Sequence, residues 1–166
     1  ITGLRIDAYA TIDLRGFQSL VDAMGGVEVN VTRRIPIGGK DSGGNDIPVS
    51  GYIEPGKQRL TGYRALWFSR SRLGADDYDR MRRQRCMVGN LVDQVNPVRL
   101  LAQYAELAKV LKENIRTDVQ QADLKAWIVL VQRMQKGSIT SLPFTNSVID
   151  TVDPDFPAIR QYVGQS

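Results

Sequence analysis

Between residues 4 and 31 the hydrophobic period changes twice. Leu4, Ile6, Ala8, Ala10 and Ile12 alternate with their neighbours, which predicts a strand. Phe17, Leu20, Val21 and Met24 then fall at i, i+3, i+4 and i+7, an amphipathic helix stopped by Gly25-Gly26. Val27 to Val31 alternates again. Strand, helix and strand in this order predict an α/β fold, a mixed β-sheet flanked by helices. From Arg33 to Gly56 the chain is rich in Gly, Pro, Ser and Asp, with weak alternation from Ile47 to Ile53. This predicts a hairpin-like excursion with a mobile tip at 38–45. Thr61 is placed to N-cap a short helix carrying Ala65, Leu66 and Phe68 and ending near Arg70. A loop over 71–76 leads to a helix from Asp77 to about Val95, with Met81, Val88, Leu91, Val92 and Val95 inward. Asn96-Pro97 opens another helix, with Leu100, Leu101, Tyr104, Leu107, Ala108 and Leu111 on one face. A further helix spans about 121–135 with Leu124, Trp127, Ile128 and Val131, and Gly137 ends it. A last strand is expected at 138–144, before a Pro-rich tail. No repeat or linker divides the chain, so residues 1–166 are read as a single domain.

Composition removes several classes. With 166 residues, 42% apolar and 24% charged, the chain is long enough to bury a core and too apolar to be disordered. The longest apolar run, Ala126 to Val131, is far below the ~20 residues of a membrane span. The absence of His excludes a Ser-His-Asp or Cys-His apparatus and a His-ligated zinc site built by this chain alone. A lone cysteine, Cys86, excludes an internal disulfide. It reads as a small buried helix residue, or else as half of a bridge to a segment outside the chain. The start at Ile1, with no leader, reads as a fragment.

The charge is concentrated. Residues 64–85 hold seven arginines (64, 70, 72, 80, 82, 83 and 85) against Asp76, Asp77 and Asp79, a local excess of +4. The remaining 15 basic and 15 acidic residues cancel, so this window carries the whole net charge of +4. Every cation in it is Arg, the residue suited to bidentate binding of phosphate or carboxylate. On a helix, Asp77, Arg80, Arg83 and Gln84 form one polar stripe, onto which Arg70 and Arg72 can fold back. The helix N-terminus adds free N–H groups and positive potential. Four guanidiniums, an amide and a helix end suit a doubly charged group such as a pyrophosphate; the plain alternative is a solvated basic helix face.

At these residues a family resemblance appears. Gly16-Phe17 and Leu20-Val21-Asp22-Ala23-Met24-Gly25-Gly26-Val27 resemble the "GF..LVDALGGV" element of the LytR–CpsA–Psr cell-wall proteins. Gly56, Leu60, Gly62, Ala65-Leu66 and Arg70-Ser71-Arg72 resemble its "G...L.G..AL.Y.R.R". Asp77-Tyr78, Arg80 and Arg83-Gln84 resemble "D(Y/F).R..RQ". Order and spacing agree from about Gly3 to Val95.

The resemblance implies an extracytoplasmic phosphotransferase, anchored to the cell membrane by an N-terminal helix absent from this chain. Its expected reaction moves a glycopolymer (teichoic acid, capsule or arabinogalactan) from a polyprenyl-pyrophosphate carrier onto peptidoglycan. By the same resemblance, Arg70, Arg72, Arg80, Arg83 and Gln84 hold the pyrophosphate. Asp77 and Arg83 are the expected catalytic residues, Asp77 orienting arginines or accepting the sugar hydroxyl's proton. Mg²⁺ is the implied cofactor, with no ligand expected in this chain: the family's Ser-Ile-Pro-Arg-Asp-like segment and strand aspartate are absent, and Asp7 and Asp13 do not match them. The chain is therefore expected to be an incomplete enzyme, possible partner of its own N-terminal fragment. The run Phe68 to Leu101 has an actinobacterial look, which favours arabinogalactan-type cargo. Leu100, Leu101, Tyr104, Leu107, Trp127, Ile128 and Val131 are candidate tunnel residues for the lipid, or ordinary core. Two other readings stand beside this one. A nucleic-acid-binding regulator is suggested by the pI of about 9.4 and opposed by the local charge and the lack of a recognition motif, so no nucleic-acid partner is expected. The other is a non-catalytic domain that only binds polyprenyl phosphate.

Overall fold

The structure, a computed structural model, describes residues 1–40, 44–73, 76–96, 98, 102, 112, 114–137, 142, 144, 149–150 and 152–165. Strands run β1 (Ala10–Ile12), β2 (Val27–Val31), β3 (Ile35–Lys40), β4 (Asp46–Ile53), β5 (Gly56–Leu60) and β6 (Ile115–Thr117). Helices are α1 (Leu14–Ala23), α2 (Gly62–Arg70), α3 (Asp77–Gln94), α4 (Leu124–Lys136) and α5 (Phe156–Gly164). The α/β class follows from the alternation read above. Among the described residues the strands pair two by two and antiparallel, β1 with β6, β2 with β5 and β3 with β4, instead of joining one mixed sheet.

The core forms where these pairs meet the helices. Val27, Val29 and Val31, every second residue of β2, are buried with Ile35, Ile37, Ile53 and Leu60 from the neighbouring strands. Val21 of α1, Ala65, Trp67 and Phe68 of α2, and Met87 of α3 close over them. Each of the larger side chains contributes about 1.5–3 kcal/mol by leaving water, which fixes α2 and α3 against the strands.

Two polar contacts set how α1 and α2 approach. Asp13 caps α1, its Oδ1 accepting from Gly16 N at 2.7 Å. Thr61 is the N-cap of α2 as expected, but its side chain makes no capping bond. Asp22 of α1 does that work instead, its Oδ1 accepting from Gly62 N at 2.7 Å. Gly62 is required by proximity: a Cβ there would overlap the main chain of Gln18.

Several expectations change. The strand expected over residues 4–12 forms only at 10–12, where β6 is three residues long, and Leu4 and Ile6 are exposed. The inward face of α3 is Arg83, Met87 and Leu91, spaced four apart, whereas Met81 and Val88 are exposed. Cys86 is exposed and free, not buried. β5 and β6 were not expected, and α5 occupies part of the Pro-rich tail, with Asp155 capping it through Ala158 N at 3.0 Å. The helix expected at 97–111, with Leu100, Leu101, Tyr104, Leu107, Ala108 and Leu111, lies outside the described residues apart from isolated positions. The same holds for the strand at 138–144. On α4, Trp127 is exposed while Ile128 and Val131 are half-buried. No helix among the described residues is long and apolar enough to cross a membrane.

Adding one methyl at the α1–α2 contact should therefore be costly. Gly62→Ala is expected to lose about 1–3 kcal/mol of stability, read as a lower midpoint in urea unfolding.

Candidate functional site

The arginine-rich window folds into two helices with a turn between them. α2 is held to the core by Trp67 and Phe68, so its C-terminal end delivers Arg70, Ser71 and Arg72 from a fixed position. Ser71 is the C-cap, its N–H donating to Trp67 O at 3.0 Å. α3 begins at Asp77 and is capped by Asp76, whose Oδ1 accepts from Asp79 N at 2.7 Å. Its far end is tied to β2 by two reciprocal bonds, Gln94 Nε2 to Glu28 O and Glu28 N to Gln94 Oε1, each 2.7 Å.

Arg83 joins these two helices from beneath. Only 7% exposed, it donates through Nη1 to Phe68 O, through Nη2 to Ser71 O, and through Nε to Asp79 Oδ2 at 3.0 Å. Phe68 O and Ser71 O belong to the last turn of α2, whose carbonyls lack helical partners. Asp79 also receives Arg33 and, at 3.3 Å, Arg82 Nη2. Burial pushes the Asp79 carboxyl upward, but the hydrogen bond from Arg83 and the charges of Arg33 and Arg83 outweigh it. They hold it below the usual aspartate range. Burial likewise pulls the Arg83 guanidinium below its ordinary value against the pull of Asp79; an arginine stays charged even so.

Above this clamp lies a cavity of about 240 Å³ lined by Gly38, Lys40, Gly44, Arg70, Ser71, Arg72, Arg80 and Gln84. That is below the roughly 300–1,000 Å³ of drug-sized pockets and has room for a compact anion, not a lipid tail. Arg72 and Arg80 are aligned by Asp77, with Arg72 Nη2 at 3.1 Å and Arg80 Nη2 at 3.0 Å from Oδ1. Arg70 sits over the Trp67 ring at 4.8 Å and donates to Lys40 O at 3.3 Å, tying the β3–β4 hairpin to α2. Lys40 Nζ is 2.7 Å from Asp46 Oδ1. Two buried atoms of these residues, Ser71 Oγ and Arg80 Nε, have no hydrogen-bond partner among the described residues.

Of the expected pyrophosphate ligands, Arg70, Arg72, Arg80 and Gln84 come together in this cavity. Arg83 does not line it. Each of its three nitrogens donates to Asp79 or to a main-chain carbonyl, which places its guanidinium against the α2 terminus. The free helix end is corrected: Asp76 occupies it, and Asp77 and Asp79 fill the first turn with carboxylates. Lys40, Gly38 and Gly44 were missed because they lie some thirty residues upstream, on a hairpin whose fold-back no spacing rule reveals. The Gly38-Gly39-Lys40 sequence is the one signal present. Among the described residues no three acidic, Cys or His side chains group to hold a metal ion, and Asp77 and Asp79 both face arginines. These residues do not fit a Mg²⁺ site.

The sequence pattern of the LytR_cpsA_psr family matches residues 1–161. Over 158 residues the chain is 32% identical to the cell wall biosynthesis protein LcpA of Corynebacterium glutamicum, covering 88% of this chain and 28% of the relative. Over 136 residues it is 31% identical to the polyisoprenyl-teichoic acid–peptidoglycan teichoic acid transferase TagU of Enterococcus faecalis, covering 81% and 41%. Its fold is similar to that of a LytR-Csp2A-Psr enzyme from Actinomyces oris, with TM-score 0.63 and 22% identity over 98% of this chain and 64% of that one. The chain thus spans 28% and 41% of the length of these two curated relatives.

Two outcomes follow from the clamp. Arg83→Lys keeps the charge but supplies one nitrogen in place of a three-armed fork. It should lose about 3 kcal/mol or more in chemical unfolding. The lowered Asp79 carboxyl contributes stability that is fully present above the ordinary aspartate value of about 4 and is lost as pH falls through its depressed value in the folded protein. Urea melts should weaken below about pH 4, and Asp79→Asn should flatten that acid dependence.

Proposed function

This chain belongs to the LytR_cpsA_psr family, and on that footing we propose that it forms part of a phosphotransferase. In this reading the enzyme carries a glycopolymer from a polyprenyl-pyrophosphate carrier onto peptidoglycan. The observation that carries the reading is the convergence of Lys40, Arg70, Arg72, Arg80 and Gln84 on one small cavity. The name of the Enterococcus faecalis relative, a teichoic acid transferase acting between a polyisoprenyl carrier and peptidoglycan, supports the same chemistry. The cargo class is a teichoic acid, capsular or arabinogalactan-type polymer.

The chemistry asked of these residues is positioning and charge neutralisation. A sugar hydroxyl of peptidoglycan attacks the phosphorus that carries the glycopolymer. The new O–P bond forms as the P–O bond to the bridging oxygen breaks, polyprenyl phosphate leaves, and the proton of the attacking hydroxyl passes to the departing phosphate or to water. Negative charge shifts onto the departing phosphate, where Arg70, Arg72 and Arg80 neutralise it and Gln84 donates a neutral hydrogen bond. Asp77 acts by orienting: its carboxylate holds Arg72 and Arg80, so its contacts support alignment of guanidiniums over proton transfer. Arg83 acts through the α2 terminus it holds and is a positioning residue, not a catalytic one. Mg²⁺ belongs to the proposal only as a cofactor held by carboxylates other than the described ones. An extracytoplasmic location, a membrane anchor and an N-terminal part completing the site belong to it likewise.

The test is made in cells with the full-length protein. Arg72→Ala and Arg80→Ala are each expected to cut glycopolymer linked to purified peptidoglycan about 10- to 100-fold, the worth of a charged hydrogen bond. Arg34→Ala, an exposed arginine paired with Glu54, should leave it unchanged. Unchanged attachment in both pocket variants contradicts the enzyme reading. Duplex DNA binding abolished by the same two changes would favour a nucleic-acid regulator.

A further inference from the structure

Resting on the pyrophosphate reading of this pocket, we infer that the ammonium of Lys40 is a ligand of the bound anion, and that Asp46 is the counter-ion it leaves to become one. Lys40 ends β3, Asp46 begins β4, and the two stand opposite each other in the hairpin register. Lys40 and Gly44 both line the cavity, and Asp46 is not among the lining residues. Gly44 has no side chain, so the wall there is main chain, and Lys40 Nζ lies 3.4 Å from the Gly44 carbonyl oxygen. The ammonium is therefore already at the cavity wall. Its side chain is 55% exposed, so an anion arriving from solvent can reach it.

Two features let this ammonium change partners while the wall stays in place. The main chain of Lys40 is anchored, because its carbonyl accepts from Arg70 Nη2 at 3.3 Å and β3 is paired with β4. Fixing the backbone leaves the flexible four-carbon stem free to turn. The present partner is also easily given up. Lys40 Nζ lies 2.7 Å from Asp46 Oδ1, but the Asp46 side chain is 87% exposed, and pairs so open to water hold weakly. A phosphoryl group in the cavity offers more negative charge than one carboxylate, and Arg70, Arg72 and Arg80 hold it there at the same time. Those cations have no comparable exchange to make. Arg72 and Arg80 share Asp77, which sits one turn before Arg80 on the same helix, and Arg70 is bonded to a main-chain oxygen. Lys40 is thus the cation whose engagement depends on the ligand, and Asp46 sets how readily it engages.

The experiment titrates the purified protein with inorganic pyrophosphate in a calorimeter, beside Lys40→Met, Asp46→Asn, the double variant and Arg72→Ala. Lys40→Met is expected to bind about tenfold more weakly, as for a lost hydrogen bond from a charged group. Asp46→Asn is expected to bind about two- to fivefold more tightly, the scale of an exposed ion pair no longer competing. A damaged fold could not produce that gain. In the Lys40→Met background the same Asp46 change should add nothing, because its effect passes through the ammonium. If Lys40→Met binds as the unaltered protein does while Arg72→Ala binds weakly, the inference is overturned and the pocket reading stands. Equal gains from Asp46→Asn with and without Lys40, or no gain at all, overturn the exchange of partners. If the unaltered protein binds no pyrophosphate, or Arg72→Ala binds equally well, the pocket reading falls and the role of Lys40 falls with it.

Discussion

The guanidinium of Arg83 is the joint on which the site depends. Removing a charge from water costs several kcal/mol, and this chain recovers it with a carboxylate and two helix-end carbonyls. Those carbonyls are the last groups before the main chain turns from α2 toward α3. The contact that makes the buried charge tolerable therefore also fixes the direction in which Arg70, Ser71 and Arg72 leave the helix. Only a fork with separate Nε, Nη1 and Nη2 donors can reach all three acceptors at once. Asp79 completes the joint from below, itself held by Arg33 and Arg82.

This joint divides the arginines of one short window by role. Arg83 and Gln84 are neighbours in sequence, yet the 100° step between consecutive helical residues turns one toward the α2 carbonyls and the other toward the cavity. Arg80, one turn before Gln84, faces the cavity with it. Asp77, three residues before Arg80, aligns Arg72 with Arg80. The cations are thus arranged in two layers. The lower one gathers on Asp79 and carries the fold; the upper one keeps an excess of positive charge facing a small cavity. Lys40, delivered by the β3–β4 hairpin and tied to α2 through its own carbonyl, closes the upper layer from the other side.

What the sequence made legible was local. The alternation Val27-Val29-Val31 and the i, i+4 spacing of Arg80 and Gln84 each state which residues share a face, and both hold in the structure. The role of Arg83 was not legible, because an arginine on a polar stripe looks the same whether it faces solvent, a ligand or two helix-end carbonyls. Met81 and Val88 were assigned inward on hydrophobicity, but the buried line Arg83-Met87-Leu91 puts a cation on the core side of α3, which no hydrophobic pattern predicts. β5 escaped for a related reason: Lys57, Gln58 and Arg59 show no apolar alternation, and the segment is a strand because it pairs with β2. Lys40 depends on a hairpin folding back over thirty residues, which is tertiary information. The family motif located the cluster as a whole, and the three-dimensional contacts separate the residues that line the cavity from the one that supports it.

A crystal structure of the protein grown with a short-chain polyprenyl pyrophosphate tests this account most directly. The account predicts both phosphoryl groups in the cavity against Arg70, Arg72, Arg80 and Gln84, with Arg83 still bonded to Phe68 O, Ser71 O and Asp79. Phosphates bound elsewhere, or Arg83 swung out of its clamp to meet them, would contradict it.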